Sequence, residues 1–493
     1  MATRTNAKKK KKNFHATLVP ALDALIGDPL ILEPEADTRL KANTLLIPAQ
    51  YKDRLRDFSN DTKNIGRAEA AKSLLKSFAH IMSGIYYSDN GIYVCKNNMQ
   101  IRFVCGPELE SQNINKNSTT DNALATARYY YDSHSHDIAV MTGDDFMIMT
   151  VLLAGIDVAR VNPEYYTGRR KLVMPVEAYD AWFTKGYLKE SQFEEFFPEA
   201  KENPLKPNEF VEFVFEEKAL LETYKQNNND MTWRIGRFEY YPDGDIYQPC
   251  LQQLHFIKDL PHYILLRTPG QAMFAEALLA PVELIPIVIC PAEFGTGKTF
   301  LTSTIGIILT AEKNPRFDRI FVCPRDSRLG QEIGFLPGDE RLKVLANSMP
   351  IVDNVREYIK IRGDKKAGGK DLDNQAVENA TKQMLEKYFE FIAIIHMGGR
   401  SITDSWIIYD EAQDMERFQI IQLMKRIGDN SKMIITGDPN QVYNPHMNYH
   451  SNGLNYAAVK MAGSPYAAVV TMTKEEITRS VAAQEIARRL EQR

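Results

Sequence analysis

The second half of the chain contains apolar runs with no polar alternation. They are IPIVIC (285–290), RIFVCP (319–324), SWIIYD (405–410), KMIITGD (432–438) and AAVVTM (467–472). Runs of this length and composition predict strands covered on both faces, as in a parallel sheet. The first part shows shorter runs alternating with amphipathic stretches. HATLVPALDALI (15–26) reads as a strand and turn, NTLLIPAQYKDRL (43–55) as a strand into a helix, NALATARYYYD (122–132) as a helix and DIAVMT (137–142) as a strand. That alternation implies a second parallel sheet. Between them lies an aromatic, acidic, proline-broken stretch, with FFPEAKENPLKPNEF (196–210) and RFEYYPDGDIY (237–247), which reads as a connector with a few β-strands. The expected organisation is α/β: a tail over 1–12, a first parallel-sheet domain over 13–178, a connector over 179–260 and a second parallel-sheet domain over 261–493.

The strand IPIVIC runs directly into PAEFGTGKTFLTSTIGIILT (291–310), giving a strand, a glycine-rich turn and a helix start. This is the setting of a phosphate-binding loop. The pattern G-x-x-x-x-G-K-[ST] is met at Gly297, Lys298 and Thr299, but Ala292 stands at the first glycine. Backbone N–H groups of Gly295, Thr296 and Gly297 would face phosphates, Lys298 would reach the β- and γ-phosphates, and Thr299 would ligate Mg²⁺. WIIYDEAQ ends in Asp410 and Glu411, the first placed to hold Mg²⁺ through water and the second to orient and deprotonate the attacking water. KMIITGDPNQ ends in Asp438, a candidate nucleotide contact, and Gln441, an amide that beside a γ-phosphate can sense whether it is present. Strands ending in GKT, DE and GDxxQ would bring all three to the carboxyl edge of one sheet, where ligands bind in open α/β folds.

Composition adds bounds. At 493 residues the chain is too long for one ordinary core. A net charge of −4 restricts any nucleic-acid site to a local patch; Lys8 to Lys12 and the basic loop RGDKKAGGKD (362–371) are candidates. No run approaches the ~18 apolar residues of a membrane span, and no apolar segment of a signal peptide follows the lysines. The five cysteines are scattered without a CxxC pair, which points to a reducing, cytoplasmic setting.

The GKT, DEAQDM, KRIGDNSKMIITGDPNQVYN (425–444), SNGLNYAAVKM (451–461) and EIGFLPGDERLKVLANSMPIVDN (332–354) stretches resemble the PhoH family of ATPases, related to superfamily 1 helicases. The resemblance implies a RecA-like P-loop domain binding ATP and Mg²⁺. It implies that Gln271 of TPGQ reads the adenine edge. It implies that Arg479 of EEITRS stabilises charge at the γ-phosphate, in cis or across a subunit interface. Arg325 would contact either nucleotide or a nucleic-acid backbone. Ring-shaped homo-hexamers are a further implication.

The first region resembles a PIN nuclease domain, in the order of PIN–PhoH fusion proteins. TTDNALATA matches the helix-start carboxylate at Asp121. IAVMTGDDFMIMTVLLAGIDV matches the T-x-D strand end, giving Asp144 with Asp145 adjacent; LLIPAQYKDRL, IGRAEAAKSLLKSF and PEYYTGRR follow the same pattern. The family's clustered carboxylates hold Mg²⁺ or Mn²⁺. Two positions depart from it. Ala21 stands where the first acid belongs, with Asp23 two residues on, and Arg54 stands where another acid is expected, next to Asp53. The expected function is an ATPase acting on single-stranded RNA, coupled to a weakened ribonuclease. The rivals are an ATP-switched RNA-binding protein with an inactive PIN fold, and a P-loop metabolic kinase.

Overall fold

The computed structural model describes residues 17–27, 32, 42–61, 65–86, 92–94, 99–104, 119–133, 137–142, 144–160, 166–216, 231–239, 249–312, 314–323, 348–366, 373–392, 401–443, 449, 452–479, 485 and 489. Backbone contacts divide the chain into two compact units, the first of residues 1–164 and 445–451 and the second of residues 165–444 and 452–493.

The first unit is built on β1 (Thr17–Pro20), β2 (Thr44–Pro48), β3 (Tyr93–Val94), β4 (Gln100–Val104), β5 (Ile138–Thr142) and β6 (Asp157–Arg160). They form one six-stranded sheet in the order β3-β4-β2-β1-β5-β6. Every pairing is parallel except β3 with β4. Both faces are packed, which explains why the strands lack polar alternation. Leu45 and Ile47 enter one core with Leu18 and Phe78, while Leu46 enters the other with Val19 and Val140. The turn expected after β1 is the start of a short helix, Leu22–Gly27.

The second unit carries two sheets. β7 (Arg169–Val173), β8 (Tyr187–Lys189), β9 (Phe210–Val214), β10 (Ile235–Glu239) and β11 (Cys250–Gln253) pair in the order β7-β9-β10-β11-β8. This connector has its own aromatic core, in which Trp182 packs edge-on against Phe213 at 4.9 Å between ring centroids. The expected boundary at 178 is therefore corrected. β7 and the helix Val176–Lys185 belong with the connector, because β7 pairs with β9 along its whole length.

The last sheet comprises β12 (Ile287–Pro291), β13 (Arg319–Cys323), β14 (Phe389–Phe391), β15 (Ser405–Tyr409), β16 (Lys432–Gly437) and β17 (Ala467–Val469), in the order β14-β13-β15-β16-β12-β17. All pairings are parallel. Its faces divide by residue parity: Val288, Cys290 and Ile434 enter one core, and Ile289, Met433 and Ile435 the other. The expected basic loop is corrected too. Arg362 to Lys366 continue the helix Met349–Lys366, and the rest of the loop lies outside the described residues. Among the described residues no helix is long and apolar enough to cross a membrane.

Candidate functional site

Strand β12 ends at Pro291, and residues 292–297 carry the chain to the helix Lys298–Ala311. Ala292 is still held in the sheet. Its N–H donates to the Gly437 carbonyl at 2.9 Å, it bridges to Met472, and it is 1% exposed. The turn itself needs left-handed backbone, supplied by Gly295 at φ +84° and Gly297 at φ +90°. Gly297 caps the helix, so the free first-turn N–H groups of a 14-residue helix face the loop. A side chain at Gly297 would also press on Gln271, whose Nε2 lies 3.0 Å from the position of a Cβ there. Thr296 fixes the turn by donating its hydroxyl to the Glu293 carbonyl at 2.7 Å, and Lys298 is buried behind it.

The adjoining strand ends converge on this loop. Thr299 donates its hydroxyl to Asp410 Oδ2 at 2.9 Å. The other oxygen of Asp410 accepts from Thr436 Oγ1 at 2.7 Å and from the Glu411 N–H at 3.1 Å. Glu411 sits at φ +60°, a left-handed conformation that costs a non-glycine residue on the order of 1 kcal/mol and marks a constrained position. Burial, reinforced by the neighbouring Asp410 charge, pushes the Glu411 carboxyl above its ordinary value, against the opposing pull of the Gln413 hydrogen bond and the Lys298 charge. A carboxylate so placed is readier to take a proton. The buried thiol of Cys290 is pushed well up by burial and stays protonated.

Gln413 was not singled out by its sequence, yet it joins the strand ends. Fully buried, it donates to Glu411 Oε2 at 2.6 Å and to the Gln441 carbonyl at 3.2 Å, and it accepts from the Asp438 N–H at 3.0 Å. Asp438, read from sequence as a nucleotide contact, is turned to the protein. Its oxygens accept from the N–H groups of Phe294 at 2.8 Å and Asn440 at 3.0 Å, so it fixes the loop from behind. Gln441 follows one turn on, its N–H donating to the Asp438 carbonyl at 2.9 Å. Gln271, on the helix Pro269–Leu279, accepts from the Arg267 N–H at 2.8 Å and donates to the Thr296 carbonyl at 2.8 Å. It thus grips the loop backbone from the other side. Arg479 lies over the exposed ring of Phe294, its guanidinium carbon 3.9 Å from the centroid. Arg325 lies outside the described residues.

The Thr299 hydroxyl and the Asp410 carboxylate are hard oxygen donors 2.9 Å apart beside the loop N–H groups, a donor set that fits Mg²⁺ with a bound phosphate.

In the first unit the carboxyl ends of β1 and β5 also meet. Thr142 donates to Asp23 Oδ2 at 2.9 Å and accepts from the Asp144 N–H at 3.1 Å. Asp144 in turn caps the helix Asp145–Leu153, accepting from the Met147 N–H at 2.7 Å. Asp23, not Ala21, is therefore the acid at the end of β1; Ala21 is buried and Asp23 is exposed. Asp53 is exposed on the helix Tyr51–Ser59, and Arg54 lies 5.3 Å from the Phe58 ring centroid. Asp121 and Asp145 fall in the first turns of their helices, but their side chains lie outside the described residues. Among the described residues no group of three His, Cys, Asp or Glu side chains could hold a metal ion; Asp121 and Asp145, two of the expected ligands, are not among the side chains described. Lys8 to Lys12 likewise lie outside the described residues.

The parallel sheet, with its glycine turn and its Thr299–Asp410 pair, defines an α/β domain of the P-loop class. More narrowly, residues 263–491 match the family model described as PhoH-like protein, so this region is a PhoH-like domain. The chain is similar to Protein PhoH2 of Bacillus subtilis, 32% identical over 206 residues that cover 42% of this chain and 43% of that protein. It is also 32% identical to the PhoH-like protein of Synechocystis sp. over 171 residues, 35% of this chain and 46% of that one. With Protein PhoH2 of Mycolicibacterium smegmatis it shares 29% identity over 211 residues, 43% of this chain and 44% of that one. The chain spans under half the length of these curated relatives.

Proposed function

We propose that the protein hydrolyses ATP at the loop 292–299 and uses the cycle to move or remodel single-stranded RNA. The observation that carries this reading is the Thr299–Asp410–Glu411–Gln413 array at the carboxyl edge of one parallel sheet. The loop N–H groups and Lys298 bind and orient the phosphates. Thr299 and Asp410 would hold Mg²⁺, which when bound would neutralise charge on the transferred phosphoryl group. Glu411 takes the proton of the attacking water, and Gln413 keeps that carboxylate aimed while tying it to the Gln441 backbone. Arg479, in cis beside Gly295 and Phe294, supplies positive charge for the developing transition state. Assembly as a homo-hexamer and a cytoplasmic location belong to the same proposal.

The first unit is proposed as a PIN-like fold that receives the RNA, with weak ribonuclease activity. A second reading is a fold that binds RNA without cleaving it, since Ala21 and Arg54 stand where the PIN pattern carries acids. Cleavage assays in Mn²⁺, in Mg²⁺ and in chelator separate the two. Cleavage lost in Asp144→Asn supports the nuclease, and RNA binding without cleavage supports the switch.

The ATPase reading is tested with Lys298→Ala and Glu411→Gln. The first should lose ATP binding. The second should bind ATP and lose turnover by at least ~10²-fold, the low end for removal of a general base. Turnover by Glu411→Gln at the parental rate would sink the mechanism.

A further inference from the structure

One buried ion pair in the second unit has no role in the chemistry above. Arg169 opens β7 of the connector, and Glu476 ends the 3-10 turn Lys474–Glu476. Arg169 Nη1 donates to both Glu476 oxygens, at 3.0 and 2.8 Å, and to the Thr471 carbonyl at 3.2 Å, while Nη2 donates to Glu212 at 3.0 Å. The side chains of Arg169, Glu476 and Glu212 are 11%, 7% and 4% exposed. The connector is seated closely here. Gly168, at φ +70°, has no room for a Cβ against the Val469 carbonyl, and the Thr471 N–H donates to Thr167 at 3.0 Å.

Glu476 passes this contact on to the nucleotide loop by two routes. Its carboxylate accepts from the Gly270 N–H at 2.6 Å, at the start of the helix that carries Gln271, and Gln271 holds the Thr296 carbonyl. It also accepts from the Thr473 N–H at 3.0 Å, closing the turn that leads into 477–479. There the Thr478 N–H donates to the Gly295 carbonyl at 3.0 Å, its hydroxyl accepts from Gln271 Nε2 at 3.3 Å, and Arg479 covers Phe294.

Resting on the ATP reading, we infer that Arg169 is a positioning residue for the nucleotide loop: through Glu476 it sets both Gln271 and the 477–479 strap, so the connector sheet controls the shape of the ATP site. A carboxylate this buried is held in place by the guanidinium beside it, and removing one member of such a pair leaves the other uncompensated. A lysine ammonium donates from one nitrogen and lacks the planar fork with which Arg169 reaches Glu476 from one nitrogen and Glu212 from the other.

Steady-state ATP hydrolysis by the full chain provides the test, with melting temperature measured in parallel. Arg169→Gln should raise KM for ATP by at least about tenfold, and Arg169→Lys should raise it by a smaller factor. Adding Glu476→Gln to Arg169→Gln removes the uncompensated charge and should bring KM part of the way back. A merely structural role would lower the melting temperature and the active fraction, hence apparent kcat, and leave KM at the parental value. A folded Arg169→Gln protein with parental KM overturns the inference. Should Arg169→Gln fail to fold, Arg169→Lys decides: a raised KM supports the inference and a parental one overturns it. A parent protein indistinguishable from Lys298→Ala overturns the nucleotide reading itself, and the inference with it.

Discussion

The two parallel sheets of this protein use their carboxyl edges differently. In the PhoH-like domain the acids at the strand ends are buried and knitted to one another: Asp410 is 8% and Asp438 1% exposed, and Gln413 joins Glu411 to the strand beside it. In the first unit Asp23, Asp53 and Asp144 are all exposed, and one threonine links two of them. Similar architecture therefore does not imply a similarly finished site. A buried carboxylate is tolerated only when its acceptor capacity is used, so the PhoH-like edge is constrained by folding as well as by chemistry. The exposed edge is constrained less: Asp144 is kept as a helix cap, but an exposed acid such as Asp53 can be lost or shifted by a residue at little cost to the fold.

The sharpest contrast is with pH. Burial and the Asp410 charge raise the Glu411 carboxyl above its ordinary value, so it takes up a proton while an ordinary glutamate is still ionised. Protonated, it cannot accept a proton from water. Turnover should therefore fall as pH drops, by about tenfold per unit on the acidic limb, and the fall should begin above the ordinary glutamate range. The stability effect has the opposite sign. The ionised carboxylate weighs against the fold above the raised value, and this cost vanishes below the unfolded-state value. Glu411→Gln should accordingly be no less stable than the parent near neutrality, with the difference closing as pH falls. A turnover profile flat down to the ordinary glutamate range would remove Glu411 from the role of base.

Gln413→Ala comes next in size. It leaves the Asp438 N–H buried without its acceptor and frees Glu411, so a loss of about 1–3 kcal/mol is expected, read as a lower denaturation midpoint. An equally stable variant would mean that the strand ends of the PhoH-like edge are held independently.

The fold was largely legible because both faces of the sheets are covered. All five long apolar runs of the last sheet are strands, and so are LVP, LLIP and IAVMT in the first unit. β14 and β3, three and two residues long at sheet edges, are too short to leave a periodic signal. The loop and strand-end acids were legible as motifs. The roles of Gln413, Thr436 and Glu476 were not, because they lie in hydrogen bonds between distant segments, and a motif around a residue does not show which partner it reaches. Asp23 illustrates both cases: its candidacy was visible, but only the Thr142 bond shows that it, and not the residue at position 21, meets Asp144.

Thr142→Val tests that bond on the exposed edge. The side chain is buried and valine has nearly its shape, so the loss is one hydroxyl that donates to Asp23 and accepts from Asp144. About 1 kcal/mol of stability should go with it, less than for Gln413→Ala. A cost as large as that of Gln413→Ala would mean that the two edges are equally constrained, and the contrast would fail.

The smallest effect is expected at Ala292, where the loop departs from its usual glycine. A glycine is required where the backbone adopts positive φ, and in this loop those positions are Gly295 and Gly297; Ala292 is not among the positive-φ residues. It is instead bound into the sheet, bonded to Gly437 and bridged to Met472. Glycine there would gain no needed freedom. It would give up a buried methyl group and loosen the unfolded chain, which costs roughly 0.5–1 kcal/mol. Ala292→Gly should thus lower the melting temperature slightly and change ATP affinity by less than about tenfold. A large gain in affinity would show that alanine impairs the natural loop. Near-parental affinity with a small loss of stability means that the sheet has absorbed the substitution, and that the two remaining glycines suffice to shape the phosphate turn.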